Sequence, residues 1–435
     1  MKQALILAGG KGTRLSSRLD GLPKPLIDFN GKPLIWYQIE HLIKYDYKKI
    51  IILVGYKADK IISYIDNQQW KIDIECIVED RPLGTGGAVR LIYDYLNETF
   101  LVMYGDTMLD INLFKFEEFH KTQKNNDLTL FVHPNDHPSD SDLVEVDDNR
   151  VTDFHSYPHD TKKYYKNLVN AALYIINKSS LSSLKNKETN IYDFAKDIFP
   201  NLLQMGYKIS AYNSPEYIKD CGTPDRLDKA INDYKSGKIT KSNLSFTQQA
   251  IFLDRDGTIN EHVGHLSKIE QLKLFEEAPK AIKLINNSDY RCILVTNQPV
   301  IARGECSFQD LQNIHNKVET ILGSYGAYFD RIYFCPHHPD SGFKGEVKDL
   351  KIECDCRKPK TGMLDLAKKE LNIDFSRSWF IGDTSVDIMT SFNCGTKSIL
   401  LETVEKGQDK KFDVKPNMIK KNILDAVEYI LANKY

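Results

Sequence analysis

The run Ala4-Leu5-Ile6-Leu7-Ala8-Gly9-Gly10-Lys11-Gly12-Thr13-Arg14-Leu15 decides how the first half of the chain folds. Residues 4–8 are all apolar and leave no polar face, as in a strand covered on both sides of a parallel sheet. The strand breaks into a turn of closely spaced glycines, where backbone N–H groups can approach an anion without interference from Cβ. Open α/β sheets hold their ligands at the carboxyl ends of the strands, which is where this turn falls. The same grammar returns at Ala250-Ile251-Phe252-Leu253-Asp254-Arg255-Asp256-Gly257-Thr258-Ile259-Asn260, a second buried strand running into an acidic turn. Two such starts imply two domains.

Working outward, strands fit 4–8, 50–54, 74–78, 100–104, 128–132 and 169–176, and helical patterns fit 33–45, 86–96, 191–205 and 224–235. This alternation predicts a mostly parallel sheet wrapped by helices. The stretch 235–243 is polar and poor in large apolar residues, so it reads as a linker. Beyond it come strands at 250–253, 291–295, 330–334, 378–381 and 397–401, with a helix near 278–287. The domains are expected at 1–238 and 248–435. A length of 435 residues with 41% hydrophobic content supports two cores. The 58 basic residues against 60 acidic ones argue against a nucleic-acid or membrane-surface partner. No apolar run approaches the roughly 20 residues of a bilayer span, and no signal-peptide pattern opens the chain. A cytoplasmic location is the default expectation. Eight cysteines in a chain of this size do not make a disulfide framework; clustered ones point to metal instead.

In the first half, Arg14 and the lysine of Pro23-Lys24-Pro25 can add charge to the glycine cradle. Neither a Walker loop nor the dinucleotide G-x-G-x-x-G is present. The glycine turn with Thr13-Arg14 and Pro-Lys-Pro resembles the signature of the sugar-1-phosphate nucleotidylyltransferases, over residues 1 to about 235. The resemblance implies a Rossmann-like, GT-A-like mixed sheet. It also implies that Gly9, Gly10, Gly12, Thr13 and Arg14 hold a triphosphate and that Lys24 meets phosphate oxygens. Leu83-Gly84-Thr85-Gly86-Gly87-Ala88 is similar to the family's base-binding turn; the other reading is a helix N-terminus whose glycines allow close packing. Asp106 in Gly105-Asp106 and Asp220 in Asp220-Cys221-Gly222-Thr223-Pro224 match the family's two Mg²⁺ aspartates. An ion between α-phosphate and sugar phosphate would let one anion attack another. The family's Glu-Lys-Pro is absent, leaving its lysine missing or supplied by Lys162 or Lys163. Asn170-Ala171-Ala172-Leu173-Tyr174 resembles Asn-x-Gly-x-Tyr and makes Asn170 a sugar contact.

In the second half, Asp254 and Asp256 form a D-x-D turn suited to a nucleophile and a proton carrier. Thr296-Asn297, Arg357-Lys358-Pro359 and Gly382-Asp383-Thr384-Ser385-Val386-Asp387 follow in order. Together they resemble the haloacid-dehalogenase phosphatase superfamily. By that resemblance Asp254 attacks phosphorus, Asp256 protonates the leaving oxygen, and Thr296 and Lys358 hold the phosphoryl group. Asp383, Asp254 and the Asp256 carbonyl would take Mg²⁺, with Asp387 supporting through water. Cys335, His337, Cys354 and Cys356 complete a tetrahedral zinc set with no open position, a structural site. The expected form is a Rossmannoid parallel sheet with a zinc loop and no large cap. D-R-D-G-T-I-N and C-x-C-R-K-P are similar to the heptose 1,7-bisphosphate 7-phosphatases and the histidinol-phosphate phosphatases, with Asn297, Arg303 and Arg357 meeting substrate.

The two resemblances imply a bifunctional enzyme of nucleotide-activated heptose synthesis. The C-terminal half would remove the 7-phosphate, and the N-terminal half would join the heptose 1-phosphate to a nucleotide from a triphosphate, GTP by resemblance. Heptose phosphates and a nucleoside triphosphate are the implied small-molecule partners; an oligomer is left open. Three alternatives stand beside this reading. One is a hexose-1-phosphate nucleotidylyltransferase joined to a histidinol-phosphate-type phosphatase; another is a sugar-nucleotide sensor or scaffold with one decayed domain; the third is a pair of domains that share a pathway without coordination.

Overall fold

The computed structural model describes residues 2–184, 191–342, 344–403 and 407–433. They divide into two compact units, each with its own cores. The first takes Met1–His133, Ser141–Tyr157 and Leu168–Asn243; the second takes Pro134–Asp140, Pro158–Asn167 and Leu244–Tyr435.

The first unit is built on a nine-stranded sheet. Its order runs Asp73–Val78, Lys49–Val54, Gln3–Ala8, Thr99–Tyr104, Val169–Asn177, Leu128–His133, Ile209–Asn213, Arg150–His155 and Leu143–Asp147. The first four strands are parallel. Val169–Asn177 runs antiparallel to both neighbours, so the sheet is mixed rather than mostly parallel. The parallel strands show why their sequences have no polar face. Ala4, Ile6 and Ala8 enter one core with Ile50, Ile52 and Val54, while Leu5 enters the opposite core with Ile51 and Leu53. A two-stranded ribbon, Thr107–Asp110 with Tyr217–Asp220, stands apart from this sheet.

The polar stretch 235–243 is not a free linker. The helix Pro224–Lys235 ends, Gly237 turns the chain with φ 77°, and a short helix Lys238–Lys241 follows. That helix inserts Ile239 into a core with Leu15, Phe29 and Leu227. Asn243 then donates to Asp110 at 2.7 Å and to the Tyr45 hydroxyl at 3.2 Å. Composition hides this because one buried isoleucine and one buried asparagine do the anchoring.

The second unit is a six-stranded, wholly parallel sheet in the order Arg331–Cys335, Tyr290–Asn297, Gln249–Leu253, Trp379–Gly382, Lys397–Leu401 and Met418–Lys420. Ile251 and Leu253 face one core, Ala250 and Phe252 the other. The segments 134–140 and 158–167 belong to this unit. Asn167 donates to the Asn135 carbonyl at 2.8 Å, and the Tyr165 N–H donates to the Thr320 hydroxyl at 3.0 Å. Among the described residues no helix is long and apolar enough to cross a membrane.

Candidate active sites

In the first unit the turn after Gln3–Ala8 opens onto a cavity of about 280 Å³ lined by Gly9, Gly10, Gly84, Thr85, Lys24 and Asp106, among others. Gly12 caps the following turn Thr13–Leu15 with a left-handed φ of 64°. Lys24 Nζ bonds the Asp106 carboxylate directly. Asp106 sits in a turn held from both sides: Gly105 N–H donates to the Leu7 carbonyl at 2.9 Å, and Cys221 N–H donates to the Asp106 carbonyl at 2.8 Å. In the ribbon Asp220 pairs opposite Thr107, so two aspartates far apart in sequence end on adjacent strands. Around Gly222 the charges converge. A Cβ there would stand 2.7 Å from Asp220 Oδ1, 3.1 Å from Lys24 Nζ and 3.4 Å from Arg14 Nη2.

Asp220 accepts from Arg226 Nη1 at 2.8 Å and from Gly222 N–H at 3.0 Å. Burial raises its pKa, but Arg226, the Gly222 N–H and Lys24 outweigh that and hold it below the usual carboxylate range. Two carboxylates brought together by adjacent strands are a fitting donor pair for a hard divalent cation.

The glycine-rich helix start at 84–87 divides in two. Gly84 and Thr85 line the cavity. Gly86 and Gly87 instead donate their N–H groups to the Tyr192 carbonyl at 2.9 Å and 3.2 Å. A Cβ on Gly86 would stand 2.0 Å from Ile198 Cδ1, so close packing explains that glycine. Asn170 lies at an irregularity in the Val169–Asn177 strand. Lys162 and Lys163 are exposed and belong to the second unit.

Glu79 and Arg226 escape the sequence reading. Glu79 follows the strand Asp73–Val78 and lines the cavity beside Gly9; a Cβ on Gly9 would stand 2.2 Å from its Oε2. Its Oε1 is buried without a hydrogen-bond partner. Burial pushes its pKa up, with the Leu83 N–H partly opposing. The available signal was position: a carboxylate at the carboxyl end of a parallel strand, just before the Leu83–Ala88 turn.

In the second unit the carboxyl ends of three neighbouring strands supply the site. Lys358 Nζ lies 2.6 Å from Asp254 Oδ1 and 2.7 Å from Asp387 Oδ1. Asp254, Asp383 and Asp387 offer carboxylate oxygens within 4.8 Å of one another, and all three are buried. Gly257 makes that approach feasible: with φ 80°, any Cβ would stand 2.0 Å from Asp383 Oδ2. Asp387 has a double duty. Its Oδ2 accepts from the Thr384 hydroxyl at 2.6 Å in a reciprocal cap of the helix Ser385–Cys394, which leaves Oδ1 for Lys358.

Asp256 is surrounded by donors: Arg255 Nη2 at 2.8 Å, Asn260 Nδ2 at 3.0 Å and Gln298 Nε2 at 3.1 Å. Burial raises its pKa, but Arg255 and the amides win and hold it ionised. Arg255, Asn260 and Gln298 are further residues the sequence reading left without a role. Gln298 also donates to Thr296 Oγ1 at 2.8 Å, tying that threonine to the same network.

The structure places the Asn297 side chain against the backbone of Lys358. It donates to the Lys358 carbonyl at 3.2 Å and accepts the Lys358 N–H at 3.0 Å, bracing the lysine backbone with both ends of its amide. Arg303 contacts His265 and, at 3.4 Å, His338; Arg357 donates to the His337 carbonyl at 3.1 Å. Burial first, then the neighbouring Arg303, lowers the Arg357 pKa while the nearby thiols oppose, so the two arginines share one electropositive corner.

Cys335, His337, Cys354 and Cys356 converge. Cys356 Sγ lies 3.1 Å from Cys335 Sγ, 3.3 Å from Cys354 Sγ and 3.3 Å from His337 Nδ1, and Cys335 Sγ lies 3.6 Å from Cys354 Sγ. Four soft donors grouped around one point fit a closed tetrahedral ion.

Comparison with known proteins agrees with this division. A family model described as nucleotidyl transferase matches residues 3–237, and one described as HAD-hydrolase-like matches 355–426. The chain is 36% identical over 184 residues to a D-glycero-beta-D-manno-heptose-1,7-bisphosphate 7-phosphatase of Haemophilus ducreyi, covering 42% of this chain and 98% of that protein. It is 30% identical over 272 residues to mannose-1-phosphate guanylyltransferase 1 of Arabidopsis thaliana, covering 60% of this chain and 73% of that protein. The solved structure of HddC from Yersinia pseudotuberculosis matches at 29% identity with a TM-score of 0.47, covering 54% of this chain and 100% of that one.

Proposed function

Since the chain belongs to the nucleotidyl transferase family through residues 3–237 and to the heptose-bisphosphate-phosphatase-like haloacid-dehalogenase proteins through its C-terminal half, we propose that it carries two consecutive steps of nucleotide-activated heptose synthesis. The phosphatase half removes the 7-phosphate of D-glycero-D-manno-heptose 1,7-bisphosphate. The transferase half then joins the resulting heptose 1-phosphate to a nucleotidyl group from GTP and releases pyrophosphate. The observation that carries the reading is the presence of both constellations in one chain, because the phosphomonoester product of one is the acceptor of the other.

In the phosphatase half, an Asp254 oxygen forms the bond to phosphorus as the sugar 7-oxygen leaves with a proton from Asp256. Asp256 then takes a proton from the water that cleaves the aspartyl-phosphate, freeing orthophosphate. Asp256 rests ionised, and like-charge repulsion from an arriving phosphate dianion raises its proton affinity for the first step. Lys358 and Thr296 neutralise and orient the phosphoryl oxygens; Arg303 and Arg357 face the rest of the substrate. Three buried carboxylates beside one lysine leave excess negative charge, which fits Mg²⁺ held by Asp254, Asp383 and the Asp256 carbonyl. Bound there, Mg²⁺ supplies the charge compensation a carboxylate needs to approach a phosphate.

In the transferase half, Gly9, Gly10, Gly12, Thr13, Arg14 and Lys24 hold the triphosphate, and Asp106 with Asp220 suits a second Mg²⁺. Alignment dominates here because the acceptor phosphate is already ionised at neutral pH. Glu79 supports guanine: a carboxylate at the cavity wall can accept from the adjacent N1–H and N2–H₂ groups, a pair no other common base offers. The Cys335, His337, Cys354 and Cys356 set is assigned to structural zinc. The testing experiment supplies heptose 1,7-bisphosphate with each of four triphosphates and follows orthophosphate and pyrophosphate together. Orthophosphate from the bisphosphate and pyrophosphate chiefly with GTP are expected; a preference for histidinol phosphate in the first step would overturn the heptose assignment.

A further inference from the structure

The helix Leu34–Lys44 buries one face, where Leu34, Ile35, Ile39 and Leu42 form an apolar stripe. Gln38 stands in the middle of that stripe, one turn from Leu34 and Ile35 in one direction and from Leu42 in the other, and is 1% exposed. A glutamine buried among apolar side chains has lost water at both ends of its amide. Nε2 donates to the Tyr104 carbonyl at 2.8 Å and to the Thr107 carbonyl at 2.7 Å. Carbonyl oxygens only accept, so the NH₂ end must face them, and both of its protons are used. Oε1 is buried with no partner among the described residues. The fold tolerates that unsatisfied acceptor and keeps the two donors, a cost that methionine, of similar length, would not carry.

The two carbonyls bracket the Gly105-Asp106 turn, which lines the cavity assigned to the nucleotide. Tyr104 ends the strand Thr99–Tyr104 of the nine-stranded sheet, and Thr107 begins the ribbon strand Thr107–Asp110. Asp106 therefore lies on a two-residue crossing between two separate sheets. The other ribbon strand brings Asp220 opposite Thr107. Gly105 N–H ties the crossing to Leu7 of the large sheet, and Cys221 N–H ties it to the ribbon side. Gln38 grips both ends of the crossing at once, from a helix that belongs to neither sheet. A slide or twist of the ribbon against the sheet would change the separation of Asp106 from Asp220, and this amide resists it where the chain crosses.

We propose that Gln38 is a positioning residue of the transferase, whose amide locks the ribbon to the sheet and so sets the placement of Asp106 against Asp220 and Lys24. The inference deepens the proposed transferase reading and rests on it. Lys24 bonds the Asp106 carboxylate directly, so a shift of the crossing moves the carboxylate and its lysine partner together. A reaction driven by alignment is sensitive to such shifts, a displacement of about 1 Å being enough to slow one by roughly 10²-fold.

The test uses the full chain. Gln38→Met keeps length and bulk but removes both donors. It is expected to lower kcat for pyrophosphate release from GTP and heptose 1-phosphate about tenfold, with KM for GTP changed by less than about threefold. The retained GTP KM reports a folded transferase half. The second readout is Mn²⁺ binding without nucleotide, followed by electron paramagnetic resonance. Asp106→Asn identifies the ion of the aspartate pair as the one lost from wild type, and Gln38→Met should bind that ion about tenfold more weakly, with the remaining ions unaffected. Gln38→Asn, one methylene shorter, carries the same two readouts should Gln38→Met not fold. If either kcat or that Mn²⁺ affinity is unchanged in a folded variant, even one with a lowered thermal midpoint, Gln38 is scaffold only and the proposal is overturned while the transferase reading stands. Equal losses in kcat and GTP KM would overturn it likewise. If Asp106→Asn loses no ion, or wild type releases no pyrophosphate with any sugar 1-phosphate and triphosphate, the transferase reading itself falls and the proposal with it.

Discussion

At the scale of single residues, Glu79 shows how a site can be missed although its surroundings are legible. The glycines that flank the cavity announce themselves in sequence because few other roles need them so closely spaced. A lone glutamate after a strand does not, since most glutamates are solvated. Its meaning comes from the buried Oε1 and from its Oε2 standing where a side chain on Gly9 would have to go. Glu79→Gln should lower kcat/KM for GTP by roughly 10²-fold while affecting other triphosphates far less, because one acceptor for guanine becomes a donor. Competition among the four triphosphates measures this; an unaltered preference would remove Glu79 from base selection.

At the scale of elements, the buried strands were read within a residue or so, because wholly apolar runs have few alternatives. The helix Phe308–Ser324 was not read. Leu311, Ile314, Val318 and Leu322 make its apolar stripe, but His315 and Glu319 interrupt the same inward face. Glu319 is 5% exposed, and burial raises its pKa to about 7, with Lys166 and the Asn167 N–H opposing. A carboxyl whose folded pKa is raised costs nothing below its ordinary value of 4.5 and costs progressively more as pH rises toward 7. Glu319→Gln should therefore stabilise the protein at pH 8, by on the order of 3 kcal/mol, and change little at pH 4.5. Thermal denaturation at both values decides it; a stabilisation independent of pH would contradict the assignment. The metal loop gives a second test. Elemental analysis should find about one zinc per chain, and Cys354→Ser should lose it and lower the midpoint of phosphatase inactivation on heating. Full zinc content in that variant would refute the four-ligand set.

At the scale of the whole molecule, two strand-to-motif starts in the sequence were enough to announce two units. Their boundary was less legible: Ile239 and Asn243 fasten a polar stretch to the first unit, and segments 134–140 and 158–167 join the second. Short polar segments follow individual anchors rather than composition. What the two units share is chemistry: a phosphomonoester hydrolysed in one leaves the anomeric phosphate that the other consumes. The most direct measurement follows orthophosphate and pyrophosphate from Asp254→Asn supplied with GTP and either heptose 1,7-bisphosphate or heptose 1-phosphate. Neither product should form from the bisphosphate, while pyrophosphate release from heptose 1-phosphate should match wild type. Orthophosphate release by the variant, or loss of transfer to heptose 1-phosphate in a folded variant, would contradict two independent sites acting in series.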